Sequence, residues 1–378
     1  MDVLDFSTLE PAIDPNNRIT FLLDWELTMK CNLDCSYCET GIYGGHDNSV
    51  PHPPVDDCMS TVDFMFEYAD LYMDTKPKGI KYVILNIYGG ESLHHPDIVK
   101  ILRKCRDTYG KKYKEKWNLT ITTTTNAIIS QKKLSNIIPL IDEFTFSYHV
   151  ENTEKQKKQF KENILLVKSH GKRLKCIVLV HSDPVLFDKS LEFEKWCQTN
   201  EVKAIPRQLD HGPRKVQFNY NTQQVVWFGK LYKSRSYKSD QKLNFKRVDE
   251  NYDLAASGRS CCGGRQLILD QDHKKRHAFI PNSFQDWYCS VDEFFLYIKQ
   301  INGEIYTNKD CKMNFQSEVG PIGNLNDTQT LLKEIKNNLQ SDNRKIIRCK
   351  KMRCLCGLCS PKAREKEDFD KIMVKYRK

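Results

Sequence analysis

Cys31-Asn32-Leu33-Asp34-Cys35-Ser36-Tyr37-Cys38 places three thiols, spaced C-x3-C-x2-C, directly after a hydrophobic run. One short loop can therefore present three thiolates to one face of a metal centre. A cubane iron–sulfur cluster has four irons and is ordinarily held by four cysteines. A three-cysteine loop leaves one iron open, as a catalytic metal site requires and a closed structural site does not. The rival reading is a structural zinc knuckle, although zinc loops favour paired C-x2-C units.

The rest of the composition fits such a site in a soluble globular protein. The chain has 378 residues, 39% hydrophobic and 29% charged, enough for one large domain and a smaller one without help from disulfides. No run approaches the apolar length of a membrane span, and the acidic start Met1-Asp2-Val3-Leu4-Asp5 does not read as a signal peptide, so a cytoplasmic location with no membrane partner is expected. Fifteen cysteines in tight local groups, at 31–38, 261–262 and 349–359, argue for metal ligation over a disulfide framework. The net charge of +10 is uneven: residues 342–378 hold thirteen Lys and Arg against five Asp and Glu, a net of +8 around the last cysteines. An anionic thiolate-held cluster and an acidic partner such as nucleic acid both account for that excess, and both stay open.

The elements that must position the loop alternate. Residues 1–18 read as a lead-in broken by Pro11, Pro15 and Asn16-Asn17. Phe21–Thr28 is a strand that runs straight into the cysteines, and a helical stripe of Val62, Met65, Phe66, Ala69 and Met73 follows over 56–74. A second strand, Tyr82–Tyr88, ends in Gly89-Gly90-Glu91-Ser92. Helix 97–109, strand 119–124, a short helix at 132–138, strand 143–149, helix 153–169, strand 174–181, helix 185–200 and strand 202–206 complete about six βα units. This implies a parallel sheet that right-handed crossovers curl into a full or partial barrel. Chemistry in such folds sits at the C-terminal strand ends, where both the cysteine loop and Gly89-Gly90-Glu91 fall. Residues 233–258 turn polar and charged and read as a linker, after which the alternation stops.

Cys31, Cys35 and Cys38, with Tyr37 just before the third cysteine and Gly89-Gly90-Glu91 after the second strand, resemble the radical S-adenosylmethionine (SAM) enzymes. The resemblance covers roughly Phe21 to Asp210. It implies a partial (β/α)6 TIM-type barrel over 19–232 within an α/β fold. It also implies a [4Fe-4S] cluster on the three cysteines, whose open iron takes the amino and carboxylate groups of SAM. One electron, from a donor such as flavodoxin or ferredoxin, would then give methionine and a 5′-deoxyadenosyl radical that abstracts a substrate hydrogen. By the same resemblance Tyr37 lies against the adenine, Gly89 and Gly90 let the backbone approach SAM, and Glu91 accepts from the methionine ammonium. Thr125 and Asn126 at the third strand end, Ser147 and His149 at the fourth, and Arg207 after the sixth are further candidates for SAM or substrate. For Glu91 a turn carboxylate, and for His149 a satisfied strand-end histidine, remain the plain alternatives.

Residues 259–378 carry a second signal. Cys289 precedes a hairpin with its turn at Asn302-Gly303, Cys311 follows it, and Cys349-x4-Cys354-x-Cys356-x2-Cys359 comes later. This resembles the SPASM or twitch extension, a smaller cysteine-rich α+β domain that houses auxiliary [4Fe-4S] clusters. The spacing departs from that extension's usual pattern. Cys289, Cys311, Cys354, Cys356 and Cys359 are the expected ligands of one auxiliary cluster, with a second open and the roles of Cys261 and Cys262 undetermined. A zinc ribbon is the alternative there. Enzymes with such extensions commonly modify peptides or proteins, which makes a peptidyl substrate the leading expectation. A nucleotide, RNA or small metabolite stays open, as does, from a different class, a zinc-containing nucleic-acid-binding protein.

Overall fold

The structure, a computed structural model, describes residues 8–9, 19–38, 47–209, 219–228, 268–269, 275–276, 286–307, 320–341, 344, 346–349 and 361–377. The expected linker at 233–258 lies outside them.

Six parallel strands alternate with five helices: β1 (Ile19–Thr28), α1 (Val55–Asp74), β2 (Lys81–Gly89), α2 (Ile98–Lys112), β3 (Asn118–Thr125), α3 (Gln131–Ile137), β4 (Glu143–His149), α4 (Glu154–Ser169), β5 (Arg173–Val180), α5 (Pro184–Thr199) and β6 (Ala204–Gln208). Each strand pairs with the next in sequence order, the arrangement of a partial (β/α)6 barrel. Period-2 alternation decides which face is which. On β4, Phe144, Phe146 and Tyr148 are buried, and the latter two pack on Phe160 of α4 and Phe193 of α5. Thr145, Ser147 and His149 therefore face inward. Helix starts are well signalled: Thr153 and Gln156 form a capping box on α4, and Asp183 caps α5 just ahead of Pro184.

The sheet continues past β1. β7 (Phe295–Lys299) lies parallel to it, pairing Phe295 with Leu22 and Lys299 with Glu26. β8 (Glu304–Tyr306) and β9 (Gly323–Asn324) follow antiparallel, giving nine strands in one sheet among the described residues. Gly303 takes φ 71°, the left-handed conformation that the Asn-Gly turn supplies. Two polar contacts fasten β7 to β1: Tyr297 donates to Glu26 Oε2 at 2.6 Å, and Trp25 Nε1 donates to Gln300 Oε1 at 2.9 Å. α6 (Thr328–Gln340) turns Leu331, Leu332 and Ile335 onto the main core.

A second, four-stranded sheet joins Thr8–Leu9, Lys362–Ala363, Tyr288–Cys289 and Ile347–Arg348, with α7 (Lys366–Met373) packed on it through Phe369, Ile372 and Met373. Phe295 and Leu22 pack this unit against the main sheet, and a second tie is ionic. Lys76, fully buried just past α1, reaches Glu293 Oε2 at 2.7 Å, Arg344 reaches the same oxygen at 3.1 Å, and Arg377 grips Oε1. Burial alone would raise the Glu293 carboxyl, but Lys76 and Arg377 together hold it below the usual range. Burial lowers the Lys76 ammonium, partly offset by Glu293.

Candidate functional site

The cysteine loop leaves β1 across the end of β2, and backbone holds it there. Gly90 N–H donates to Thr28 O and Glu91 N–H to Lys30 O, each at 2.7 Å. Gly89 sits at φ 143°, where a Cβ would lie 2.1 Å from Thr28 O. A Cβ on Gly90 would lie 2.4 Å from Lys30 O and 2.5 Å from Met29 O. The two glycines thus let two stretches of this chain touch. Close approach to a bound SAM, expected from the motif, is a separate matter from this internal need.

Glu91 turns inward. It is 1% exposed, and both of its carboxylate oxygens receive donors. Leu93 N (3.0 Å) and Thr125 Oγ1 (2.8 Å) reach Oε1, and Asn126 N (2.6 Å) reaches Oε2. Burial pushes its carboxyl up to about 7 in spite of those bonds. The residue ties the end of β2 to the end of β3, and Thr125 serves that same tie. Asn126 then extends it to the loop, donating through Nδ2 to Asn32 Oδ1 (2.9 Å) and lying 3.6 Å from Cys31 Sγ. Asn32 Nδ2 in turn donates to Ile128 O at 2.8 Å.

The exit of β4 holds the other half of the loop. His149 Nδ1 lies 3.3 Å from Cys35 Sγ and 2.9 Å from Tyr37 Oη, with the two rings near parallel at 11° and 5.9 Å. Glu151 accepts from Ser36 N (2.9 Å) and Ser36 Oγ (2.5 Å). Residues 35, 36 and 37 are thus all gripped by residues 149 and 151. Nothing in the local sequence marks Ser36 and Glu151 as partners, because only the fold brings them together. His149, Leu179 and Arg207 are register partners across β4, β5 and β6, while Ser147 pairs with Ile177 one inward position lower. The inward candidates Ser147, His149 and Arg207 therefore do share one wall.

The three thiols are half-buried. Burial, reinforced by the charges of Glu91 and Cys38, pushes Cys31 up to about 12. Burial and then the charges of Cys38 and Cys31 raise Cys35 further. Without a cation to share, the sulfurs resist ionising together. Among the described residues no group of three or more His, Cys, Asp or Glu gathers closely enough for a single metal ion.

Of the C-terminal cysteines, Cys289 and Cys349 are described. Both are buried, and Cys349 N donates to Trp287 O at 2.9 Å on the strand beside Cys289. Cys311, Cys354, Cys356 and Cys359, with Cys261 and Cys262, lie outside the described residues. Several cations of the basic segment have structural duties: Arg344 and Arg377 hold Glu293, Arg348 reaches Asp286 O at 3.2 Å, and Arg364 covers the Trp287 ring.

The sequence matches no protein-family model and no curated protein. Solved structures are similar in fold. Hexahistidine-tagged anSMEcpe with bound AdoMet aligns over 95% of this chain and 96% of its own, at 12% identity and a TM-score of 0.50. Native anSMEcpe with bound AdoMet and Cp18Cys peptide aligns over 85% and 82%, at 13% identity and 0.48. SuiB of Streptococcus suis aligns over 80% of this chain and 63% of its own, at 13% and 0.47. At such identity the first likeness carries the fold alone, a mixed α/β architecture with parallel β/α repeats. No helix among the described residues is long and apolar enough to cross a membrane.

Proposed function

We propose that this chain is a radical SAM enzyme whose Cys31, Cys35 and Cys38 hold a [4Fe-4S] cluster, with the open iron facing SAM. The observation that carries this reading is the docking of the three-cysteine loop onto Gly89-Gly90-Glu91 at the C-terminal rim of a partial barrel. The donor set fits a cluster: the loop presents three half-buried thiols, burial and the neighbouring thiolates raise those of Cys31 and Cys35, and a cluster takes each thiolate on its own iron. When bound, cluster and SAM together supply one-electron cleavage of the sulfonium and hydrogen abstraction from the substrate. The chain's own work is positional. Asn126 and Asn32 hold the Cys31 end of the loop, His149 and Glu151 hold the Cys35 end, and Glu91 joins the strand ends beneath.

A peptide or protein is the proposed substrate class, supported by the resemblance of residues 289–359 to auxiliary-cluster extensions.

The test is anaerobic. Reconstituted protein is expected to be brown, to contain iron and sulfide, and to release 5′-deoxyadenosine from SAM once reduced. Cys35→Ala is expected to abolish that release, and full cleavage by the variant overturns the assignment. A colourless protein carrying zinc would favour a structural cysteine site instead.

A further inference from the structure

We propose that His149 is a positioning residue that donates a hydrogen bond to the Cys35 thiolate and thereby raises the reduction potential of the cluster on this loop. The inference rests on the proposed function and goes beyond it, since family resemblance points His149 toward SAM and not toward a cysteine. Its ground is geometric. Nδ1 stands 3.3 Å from Cys35 Sγ, at the end of a strand that β3 pairs as far as Phe146 and β5 pairs through His149 itself. The imidazole lies near parallel to Tyr37, which limits its rotation.

An iron-bound thiolate can only accept, so the contact is favourable with the proton on Nδ1. Tyr37 Oη, 2.9 Å away, can accept a share of the same Nδ1–H.

The neighbouring strand end repeats the device. Cys31 Sγ has Asn126 Nδ2 at 3.6 Å and Leu33 N at 3.4 Å. Two of the three sulfurs therefore each face a side-chain N–H from consecutive strands, Asn126 beside Cys31 and His149 beside Cys35. Donors to cluster sulfurs stabilise the more negative, reduced state, so they shift the potential upward. Glu151 acts in the opposite sense: its carboxylate, held on Ser36 between the second and third cysteines, disfavours added electrons. The loop sits between a donor and an anion two residues apart on one strand exit.

The test compares reconstituted wild type, His149→Phe and His149→Gln by iron content and by a redox titration followed through the electron-spin signal of the reduced cluster. His149→Phe keeps a flat ring against Tyr37 but has no donor. Compared at equal iron content, it should show a more negative midpoint. His149→Gln keeps an N–H and should return part of the shift. Equal midpoints in all three proteins at full iron content overturn the assignment while leaving the proposed function standing. If His149→Phe does not take up iron, wild-type protein with 15N-labelled histidine decides. A weak 15N coupling to the reduced cluster supports the hydrogen bond, and its absence overturns it. Wild type with no cluster signal at all removes the proposed function and this inference with it.

Discussion

Gly90→Ala isolates the contact that sets the cysteine loop on the barrel. A Cβ there would stand 2.4, 2.5 and 2.7 Å from Lys30 O, Met29 O and Lys30 C, all backbone atoms with no side-chain rotation to relieve them. Restoring ordinary carbon contact requires the two backbones to part by about 1 Å. That separation carries the bonds Gly90 N–Thr28 O and Glu91 N–Lys30 O, both 2.7 Å, beyond hydrogen-bonding range. Two such bonds at roughly 1 kcal/mol each, plus about 1–3 kcal/mol of overpacking, give roughly 3–5 kcal/mol of destabilisation. Gly110→Ala is the control: nothing lies within 4 Å of its added carbon, and it sits in α2. Alanine there should stabilise by about 1 kcal/mol. The assay is denaturant unfolding under anaerobic conditions, paired with iron bound per chain after reconstitution. Gly90→Ala should unfold earlier and hold less iron, and Gly110→Ala should do neither. A Gly90→Ala protein with wild-type midpoint and wild-type iron would refute the reasoning.

Three further outcomes are expected. Glu91, raised from 4.5 to about 7 chiefly by burial, binds its proton more tightly folded than unfolded. Its contribution is whole below pH 4.5 and is lost as pH rises through 7, an effect of roughly 3 kcal/mol at most. Glu91→Gln should therefore flatten part of the fall in stability between those values, and an identical slope in both proteins would show that the carboxyl does not titrate there. Glu293→Ala leaves Lys76, Arg344 and Arg377 facing one another around the vacated carboxylate position and should cost about 3–5 kcal/mol, read as an earlier unfolding midpoint. Lys76→Met should cost less, because two guanidinium groups still neutralise Glu293; the reverse order would contradict this account of the cluster. Ser36→Ala loses the Oγ bond to Glu151 but keeps the backbone one, so unfolding should shift by only about 1 kcal/mol, while Glu151→Ala, which loses both, should shift further.

Much of the barrel is legible locally. The alternation in Glu143–His149 fixes both that strand and its inward face, and Thr153 and Asp183 announce the helices they cap. The Asn302-Gly303 turn is equally plain. Long-range choices are less so. Phe295–Lys299 could pair with any open edge, and nothing in its residues names β1 as the partner. The stripe Leu331, Leu332, Ile335 and Leu339 does carry a helical signal, although the expected alternation stops well before it. At the site, the residues singled out by type do come together, Cys31, Cys35, Tyr37, Glu91, Asn126 and His149 among them. Their mutual roles needed coordinates. A glycine looks the same whether a ligand or its own chain's carbonyl oxygen presses on it, and Glu91 looks the same whether it faces a cavity or caps a turn.

The parallel seam between β1 and β7 has a consequence for how the protein is made. Trp25 and Gln300, which meet across it, are 275 residues apart in the chain. At about 5–20 residues per second, synthesis of that stretch takes roughly 15–55 s. Throughout that interval the first strand has β2 on one side and an open hydrogen-bonding edge on the other. The strand that leads into the cysteines thus waits longer for its second neighbour than any other described strand of this sheet. A nascent chain halted before residue 295 would carry all three loop thiols on a strand still able to pair with the wrong partner.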